Sequence, residues 1–187
     1  MNRLYIRISK FLSYVLRHHP EKFNIELDTN GYADFETIIN LVNNQFLDHH
    51  IDEEVIKDII SLSDKKRFEI NNDKIRAFYG HSIKDKIDMQ EAKNIPLKLF
   101  HGTNSKAQQK IIKEGLKRKS RQYVHLSDSL DTAYSVGRRR THSPIILVIE
   151  SSRAANDGVQ FYKSGDMYLA DYIPPEYISI YIKKKIS

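Results

Sequence analysis

The sequence predicts an α+β protein organised as two lobes, and three observations carry that expectation. Apolar residues recur at helical spacing through the first third of the chain, and near Arg67 the period switches to alternation. Beyond a charged stretch closed by Pro96, strand-length apolar runs are interspersed with short helical patterns.

In the first lobe, Leu4, Ile8, Phe11, Leu12, Val15 and Leu16 share one face of a helix with a basic last turn, ending near His18, His19 and Pro20. Asn30-Gly31 is a turn signal, and Asp34 can cap a second helix with Phe35, Ile38, Ile39 and Val42 turned inward. A third helix starts at Asp52, with Val55, Ile56, Ile59 and Ile60 inward. Residues 67–70 and 75–78 then alternate about Asn71-Asn72-Asp73-Lys74, the pattern of a β-hairpin. Helices followed by such a hairpin suggest a winged helix. Residues 83–96, charged and closed by a proline, read as a linker between lobes at 1–90 and 97–187.

The second lobe has a different texture. Leu97–Phe100 is a strand candidate, Ser105–Glu114 a helix stopped by Gly115, and Val124 with Leu126 another strand. A helix over Ser129–Val136 is stopped by Gly137, and Ile145–Ile149 is an apolar run of strand length. Val159–Tyr162, Met167–Leu169 and Ile178–Ile182 complete a β-rich lobe, and Lys183-Lys184-Lys185 read as a solvated end.

Composition narrows the functional classes. With 40% hydrophobic and 29% charged residues, and no run long enough to span a bilayer, the expectation is a globular protein without a membrane partner. The first residues lack the apolar stretch and cleavage site of a secretory signal, so a cytoplasmic location is expected. Cysteine is absent, which excludes disulfides and thiolate metal sites; no histidine spacing suggests another metal centre, so none is expected. A formal charge of +6 favours a polyanionic partner such as nucleic acid, since clustered Lys and Arg release counterions from phosphates. No surplus apolar stripe is visible, and a monomer is the default.

Four stretches place polar and basic residues at the ends of apolar elements: residues 12–20, 75–82, 99–104, and the pair 124–127 with 136–140. Each alone has a structural explanation. Arg17 and His18 can complement the negative end of the first helix, and Arg76 can be solvated on a strand face. His101 and His125 can be half-buried strand residues satisfied by backbone groups, and Arg138–Arg140 an ordinary basic loop.

Their order and spacing change that balance. LSYVLRHHP, DTNGY, IRAFYGHS, LFHGT, HLS, VGRRRT and PPEYI follow one another along almost the whole chain, and the series resembles the RNA 2'-phosphotransferase (KptA) family. The resemblance implies an N-terminal winged-helix lobe that binds RNA and a C-terminal lobe similar to ADP-ribosyltransferases that binds NAD as co-substrate. It implies a metal-free reaction in two steps. The RNA 2'-phosphate displaces nicotinamide to form an RNA-2'-phospho-ADP-ribose intermediate, and a ribose hydroxyl then takes the phosphate, leaving 2'-OH RNA and ADP-ribose 1'',2''-cyclic phosphate. A tRNA splice junction is the substrate the resemblance suggests.

Carried over residue by residue, the resemblance assigns Arg17, His18, Arg76 and Arg139 to catalysis. Arg17, His18 and Arg76, with His81 and Ser82, hold the RNA phosphate, and His101, Gly102, Thr103, His125 and Ser127 hold NAD. The residue types suit this chemistry. A phosphate monoester with a second pKa near ~6 is largely dianionic at neutral pH and needs positioning more than a base. Guanidinium forks engage its oxygens in pairs, as Lys cannot. Arginines gathered in one cleft repel each other without an anion.

The chain also departs from the family pattern. Thr141 stands where the family has His, Arg140 is an additional arginine, and residues 165–170 differ from the family's late strand. That strand lacks the catalytic Glu usual in protein-modifying ADP-ribosyltransferases, and no Gly-rich dinucleotide fingerprint supports a Rossmann mode of NAD binding. Two other readings stay open: an ADP-ribosyltransferase acting on phosphorylated nucleic-acid ends, and a non-catalytic winged-helix nucleic-acid-binding protein.

Overall fold

A computed structural model describes residues 2–182, and the chain divides into two compact units, Met1–Met89 and Gln90–Ser187. Lys183-Lys184-Lys185 lie outside the described residues. The fold is α+β, with small antiparallel sheets in both units. No helix among the described residues is long and apolar enough to cross a membrane.

The first unit runs α1 (Arg3–Arg17), a 3-10 turn (Pro20–Phe23), β1 (Tyr32–Asp34), α2 (Phe35–Gln45), α3 (Glu53–Ser61), β2 (Phe68–Asn71) and β3 (Lys74–Ala77). Local chemistry starts each α-helix. The side-chain oxygens of Asn2, Asp34 and Asp52 accept from the backbone N–H of Tyr5, Thr37 and Val55 at 2.9, 2.7 and 3.0 Å, satisfying donors that have no partner inside the helix. The helical spacing then turns Ile8, Leu12, Val15 and Leu16 of α1 inward to meet Ile38, Val42, Ile56, Ile59 and Ile75 in one core.

The sheet of this unit has the order β1-β3-β2, antiparallel throughout. The hairpin matches the expectation, but its turn is the two residues Asn72-Asp73 instead of four, with Asn72 at φ 53° in the left-handed region that Asn tolerates. Strand β1 was not foreseen. Three residues are too few to display alternation, and its ladder partner on β3 lies forty or more positions away.

In the second unit the order is β4 (Leu99–Thr103), α4 (Ser105–Glu114), β5 (Leu116–Lys117), β6 (Val124–Leu126), α5 (Leu130–Gly137), β7 (Ile145–Ile149) and α6 (Ser151–Asn156), then β8 (Tyr162–Ser164), β9 (Met167–Ala170), β10 (Tyr172–Ile173), a 3-10 turn (Pro175–Tyr177) and β11 (Ile178–Ile180). Its sheets are β11-β7-β4, β6-β9-β8 and the short pair β10-β5. Strand β7 is the middle of its sheet and is buried from Ile146 to Ile149, which explains why its sequence is apolar without alternation. Phe100 and Ser127 exchange backbone hydrogen bonds at 2.7 and 3.0 Å, tying β4 to the segment after β6.

Three boundaries differ from expectation. Strand β4 begins at Leu99, with Leu97 exposed before it. The segment expected as strand from Val159 is extended chain whose Val159 N–H closes α6 on Ala154, and pairing starts only at Tyr162. The last strand ends at Ile180. Residues 83–96 are not a loose linker. Ile87 is buried in the first unit, where Asp88 donates to the Thr29 carbonyl, and Ala92 is buried in the second, where it donates to Phe161. Single apolar residues among charges anchor each end of the stretch to its own unit.

Candidate functional site

In the first unit, two motifs far apart in sequence meet at the C-terminal end of α1. Arg17 donates from Nη2 to the Arg67 carbonyl at 3.3 Å, and its guanidinium lies over the rings of Tyr79 and Phe68 at 5.3 and 5.7 Å. Its side chain also packs on Gly80, whose φ of +97° suits glycine and little else. Ser82 donates its backbone N–H to the Arg17 carbonyl at 2.9 Å, and its hydroxyl lies 2.8 Å from His18 Nδ1. Tyr79, Gly80 and Ser82 thus hold Arg17 and His18. Arg17 bonds a carbonyl outside its own helix, so complementing the helix dipole is not its main occupation.

Arg76 is not solvated. It stands on β3 with 17% of its side chain exposed, over the ring of Tyr32 at 4.4 Å. Its Nε and Nη2 bond Glu69 Oε2 at 2.7 and 2.6 Å, and Nη1 donates to the Asn30 carbonyl at 3.2 Å. Tyr32 donates its hydroxyl to the same Glu69 oxygen at 2.7 Å; burial and that hydrogen bond raise the phenol above its ordinary pKa. The Asp28–Tyr32 turn supports this cluster, because Asp28 Oδ1 accepts from the N–H groups of Asn30 and Tyr32 at 3.0 and 2.9 Å.

Glu69 and Tyr32 were missed in the sequence, although the signal for one was present. Glu69 and Arg76 pair directly across the hairpin, and opposite charges at such positions stabilise a ladder. The expected repulsion among arginines is thereby relieved at Arg76 by a resident carboxylate.

His81 and Ser82, expected on RNA phosphate, have other surroundings. His81 is 2% exposed, and neither ring nitrogen has a hydrogen-bond partner among the described residues. Burial, reinforced by the charges of Arg17, His18 and Arg76, depresses its pKa to about 4, so it is neutral at neutral pH. Ser82 is exposed and orients His18.

In the second unit, His101 on β4 lies 2.9 Å by its Nδ1 from the His125 carbonyl, and His125 Nδ1 lies 3.0 Å from the Tyr123 carbonyl. Carbonyl oxygens only accept, so Nδ1 carries the proton in both rings and the lone pair of the neutral form sits on Nε2. His101 is held below the ordinary histidine range by burial, with Arg140, Lys119 and Arg121 adding to the effect. The backbone-satisfied reading is therefore correct for one nitrogen of each ring. His125 Nε2 is buried, and this residue meets His101 through its carbonyl.

Gly102 and Ser127 have packing reasons for their identity. A Cβ on Gly102 would stand 2.0 Å from the Ala133 carbonyl oxygen, so the close backbone approach that glycine permits is made by α5. Ser127 is buried, and its hydroxyl accepts from the Ser129 N–H at 3.0 Å and donates to the Ser129 carbonyl at 3.1 Å, shaping the entry to α5. Thr103 ends β4 with 7% exposure, beside Asn104, which caps α4 by accepting from Ala107 at 2.8 Å. Past the end of α5, Arg138, Arg139 and Arg140 are all exposed, and the side chains of Arg139 and Arg140 make no hydrogen bond or ion pair with the described residues. Those residues contain no group of three His, Cys, Asp or Glu able to hold a metal ion.

Half-buried guanidinium and imidazole groups, held by a backbone carbonyl, a serine hydroxyl, aromatic faces and one carboxylate, form a candidate site on an α+β scaffold. Residues 3–170 match the family model described as RNA 2'-phosphotransferase, Tpt1 / KptA family, a span that takes in most of both units. The chain belongs to the RNA 2'-phosphotransferase, Tpt1 / KptA family. It is 45% identical over 174 residues to a protein of Flavobacterium johnsoniae named "Probable RNA 2'-phosphotransferase", covering 91% of this chain and 93% of that one. Proteins of the same name from Bacillus thuringiensis subsp. konkukian and Acetivibrio thermocellus are 41% and 40% identical, covering 95% and 93% of this chain and 96% of each relative.

Proposed function

We propose that this chain is an NAD-dependent RNA 2'-phosphotransferase, a transferase that removes an internal 2'-phosphate from RNA of the tRNA splice-junction type. The observation that carries the reading is the fixed geometry of Arg17, His18 and Arg76, three phosphate-binding side chains held by motif residues in a chain of this family. The first unit acts as a winged-helix RNA lobe, a reading supported by three helices and a hairpin joined by β1. The second acts as an NAD lobe similar to ADP-ribosyltransferases.

A guanidinium has five N–H donors. In Arg76 two bond Glu69 and one bonds Asn30, which leaves two for phosphate oxygens. Glu69 therefore sets the angle of the fork and offsets its charge until the RNA arrives. Arg17 supplies a second fork, and His18, held through Nδ1 by Ser82, presents Nε2 as the proton carrier.

The donor set of the second unit fits NAD. The Nε2 lone pair of neutral His101 can accept from a ribose hydroxyl, and the uncommitted guanidinium groups of Arg139 and Arg140 suit phosphate charge. When bound, NAD supplies an anomeric carbon with nicotinamide as leaving group and a ribose hydroxyl to accept the phosphate. His101 and Thr103 contact it, while Gly102, His125 and Ser127 shape that site from behind. Arg139 meets the negative charge that develops on the transferring phosphoryl group.

The test is to incubate the protein with an RNA oligonucleotide bearing one internal 2'-phosphate, with and without NAD, and to identify products by mass spectrometry. Conversion to 2'-OH RNA and ADP-ribose cyclic phosphate only with NAD is the expected result. A stable ADP-ribosylated RNA would instead indicate a terminal transferase, and binding without reaction a non-catalytic protein.

A further inference from the structure

Helix α1 carries a feature that the phosphate site does not use. On the flank of the buried face of the helix, Ser9 and Ser13 stand four residues apart and so lie one above the other. Their small side chains leave a trough between Ile6, Lys10 and Tyr14 on one side and Arg67 on the other, a cavity of about 360 Å³ that reaches His18. That volume lies within the ~300 to 1,000 Å³ typical of small-ligand clefts.

Three observations say what belongs there. The lining contains Lys10, Arg67 and His18 and no carboxylate, and Lys10 makes no ion pair with the described residues, so the trough favours an anion. Ser9 is 6% exposed as a residue, but it lines the cavity and its hydroxyl makes no hydrogen bond with the described residues, so that hydroxyl is open to a polar ligand. Apolar contact is also on offer. Ile6 is 39% exposed, and the Tyr14 ring is held in place by the edge of Phe23 at 6.2 Å and by Lys22 at its hydroxyl, 3.0 Å away. Cationic heads, free hydroxyls and a fixed aromatic ring together match one nucleotide of a single strand.

We propose that this groove is a subsite for a nucleotide flanking the two joined at the 2'-phosphorylated linkage, so that the enzyme grips RNA beyond the dinucleotide it repairs. The inference rests on the phosphotransferase reading, and it follows from His18 belonging to both the groove and the phosphate site. Lys10 engages the neighbouring phosphodiester, Ser9 and Ser13 bond its oxygens or the ribose hydroxyl, and Ile6 and Tyr14 pack on the base.

The test compares a dinucleotide carrying the 2'-phosphate at its single linkage with oligonucleotides extended by several residues on the 5' side or on the 3' side. Wild-type protein should show a KM about tenfold lower for one extended series than for the dinucleotide. Lys10→Glu, and Ser13→Tyr, which fills the trough from a half-buried helix position, should abolish that advantage while leaving dinucleotide turnover within about twofold. The proposal is overturned if both variants keep the length advantage, or if they lose dinucleotide and extended substrates equally. Should wild-type protein turn over no substrate at all, the phosphotransferase reading has failed, and the groove is then decided by binding alone. Ser13→Tyr must weaken the affinity for a labelled single-stranded RNA hexamer about tenfold; an unchanged affinity disproves the groove.

Discussion

Gly102 in β4 and Gly137 at the end of α5 lie against each other, with the site of a Cβ on Gly137 only 3.3 Å from the Gly102 Cα. Two glycines from separate motifs let a helix backbone rest on a strand, and this contact sets where the Arg138–Arg140 segment leaves α5. Gly102→Ala would drive its methyl to 2.0 Å from a backbone carbonyl, which no rotamer change relieves. The expected loss is at least ~3 kcal/mol of stability. Gly158→Ala, in open space at φ +96°, should cost only about 1 kcal/mol. Urea denaturation of the two variants checks this, and equal midpoints would refute the packing account.

The Arg76–Glu69 pair should behave as one unit. Glu69→Gln removes the carboxylate that orients the fork, so affinity for 2'-phosphorylated RNA should fall about tenfold even though Glu69 carries the wrong charge to bind phosphate. In a double-mutant cycle with Arg76→Lys, the stability effects should be non-additive by roughly 1–2 kcal/mol. Tighter RNA binding by Glu69→Gln would mean that simple charge, not orientation, governs the site.

His81 makes stability depend on pH. Its native pKa of about 4 lies below the ordinary 6.5, so between these values the unfolded chain binds more protons than the native one. Stability therefore falls as pH drops from 6.5 towards 4, by roughly 3 kcal/mol when complete, and is fully retained above pH 6.5. His81→Leu should flatten this part of the profile in denaturation midpoints measured at pH 4, 5, 6 and 7. A slope unchanged by the substitution would assign the effect to other groups.

Arg139→Ala should slow the second half of the reaction about a hundredfold and leave the first nearly intact. A species heavier than the substrate RNA by one ADP-ribosyl group should then accumulate in mass spectra. Arg140→Ala, one residue along the same exposed segment, tests the register of the assignment. If Arg140→Ala accumulates the adduct and Arg139→Ala does not, the role belongs to the additional arginine; lost RNA binding without any adduct removes it from both.

Much of this protein was legible in the sequence because the signals are local. Asp34, Asp52 and Gly115 mark helix ends through hydrogen bonds or backbone angles that span a few residues, and α1 shows its buried face by period alone. Arg17, His18 and Arg76 were likewise singled out by motif order, and their roles stand as proposals. The tertiary structure decided what those residues are attached to. Glu69 and Tyr32 fix Arg76, Ser82 supports His18, His81 goes inside, and Gly102 and Ser127 answer to α5. Strands of two or three residues, such as β1, β5 and β10, have no period to read, and they exist only because a distant strand completes their hydrogen bonds. Motifs can identify a functional side chain, but its angle, charge state and exposure come from partners brought together by folding.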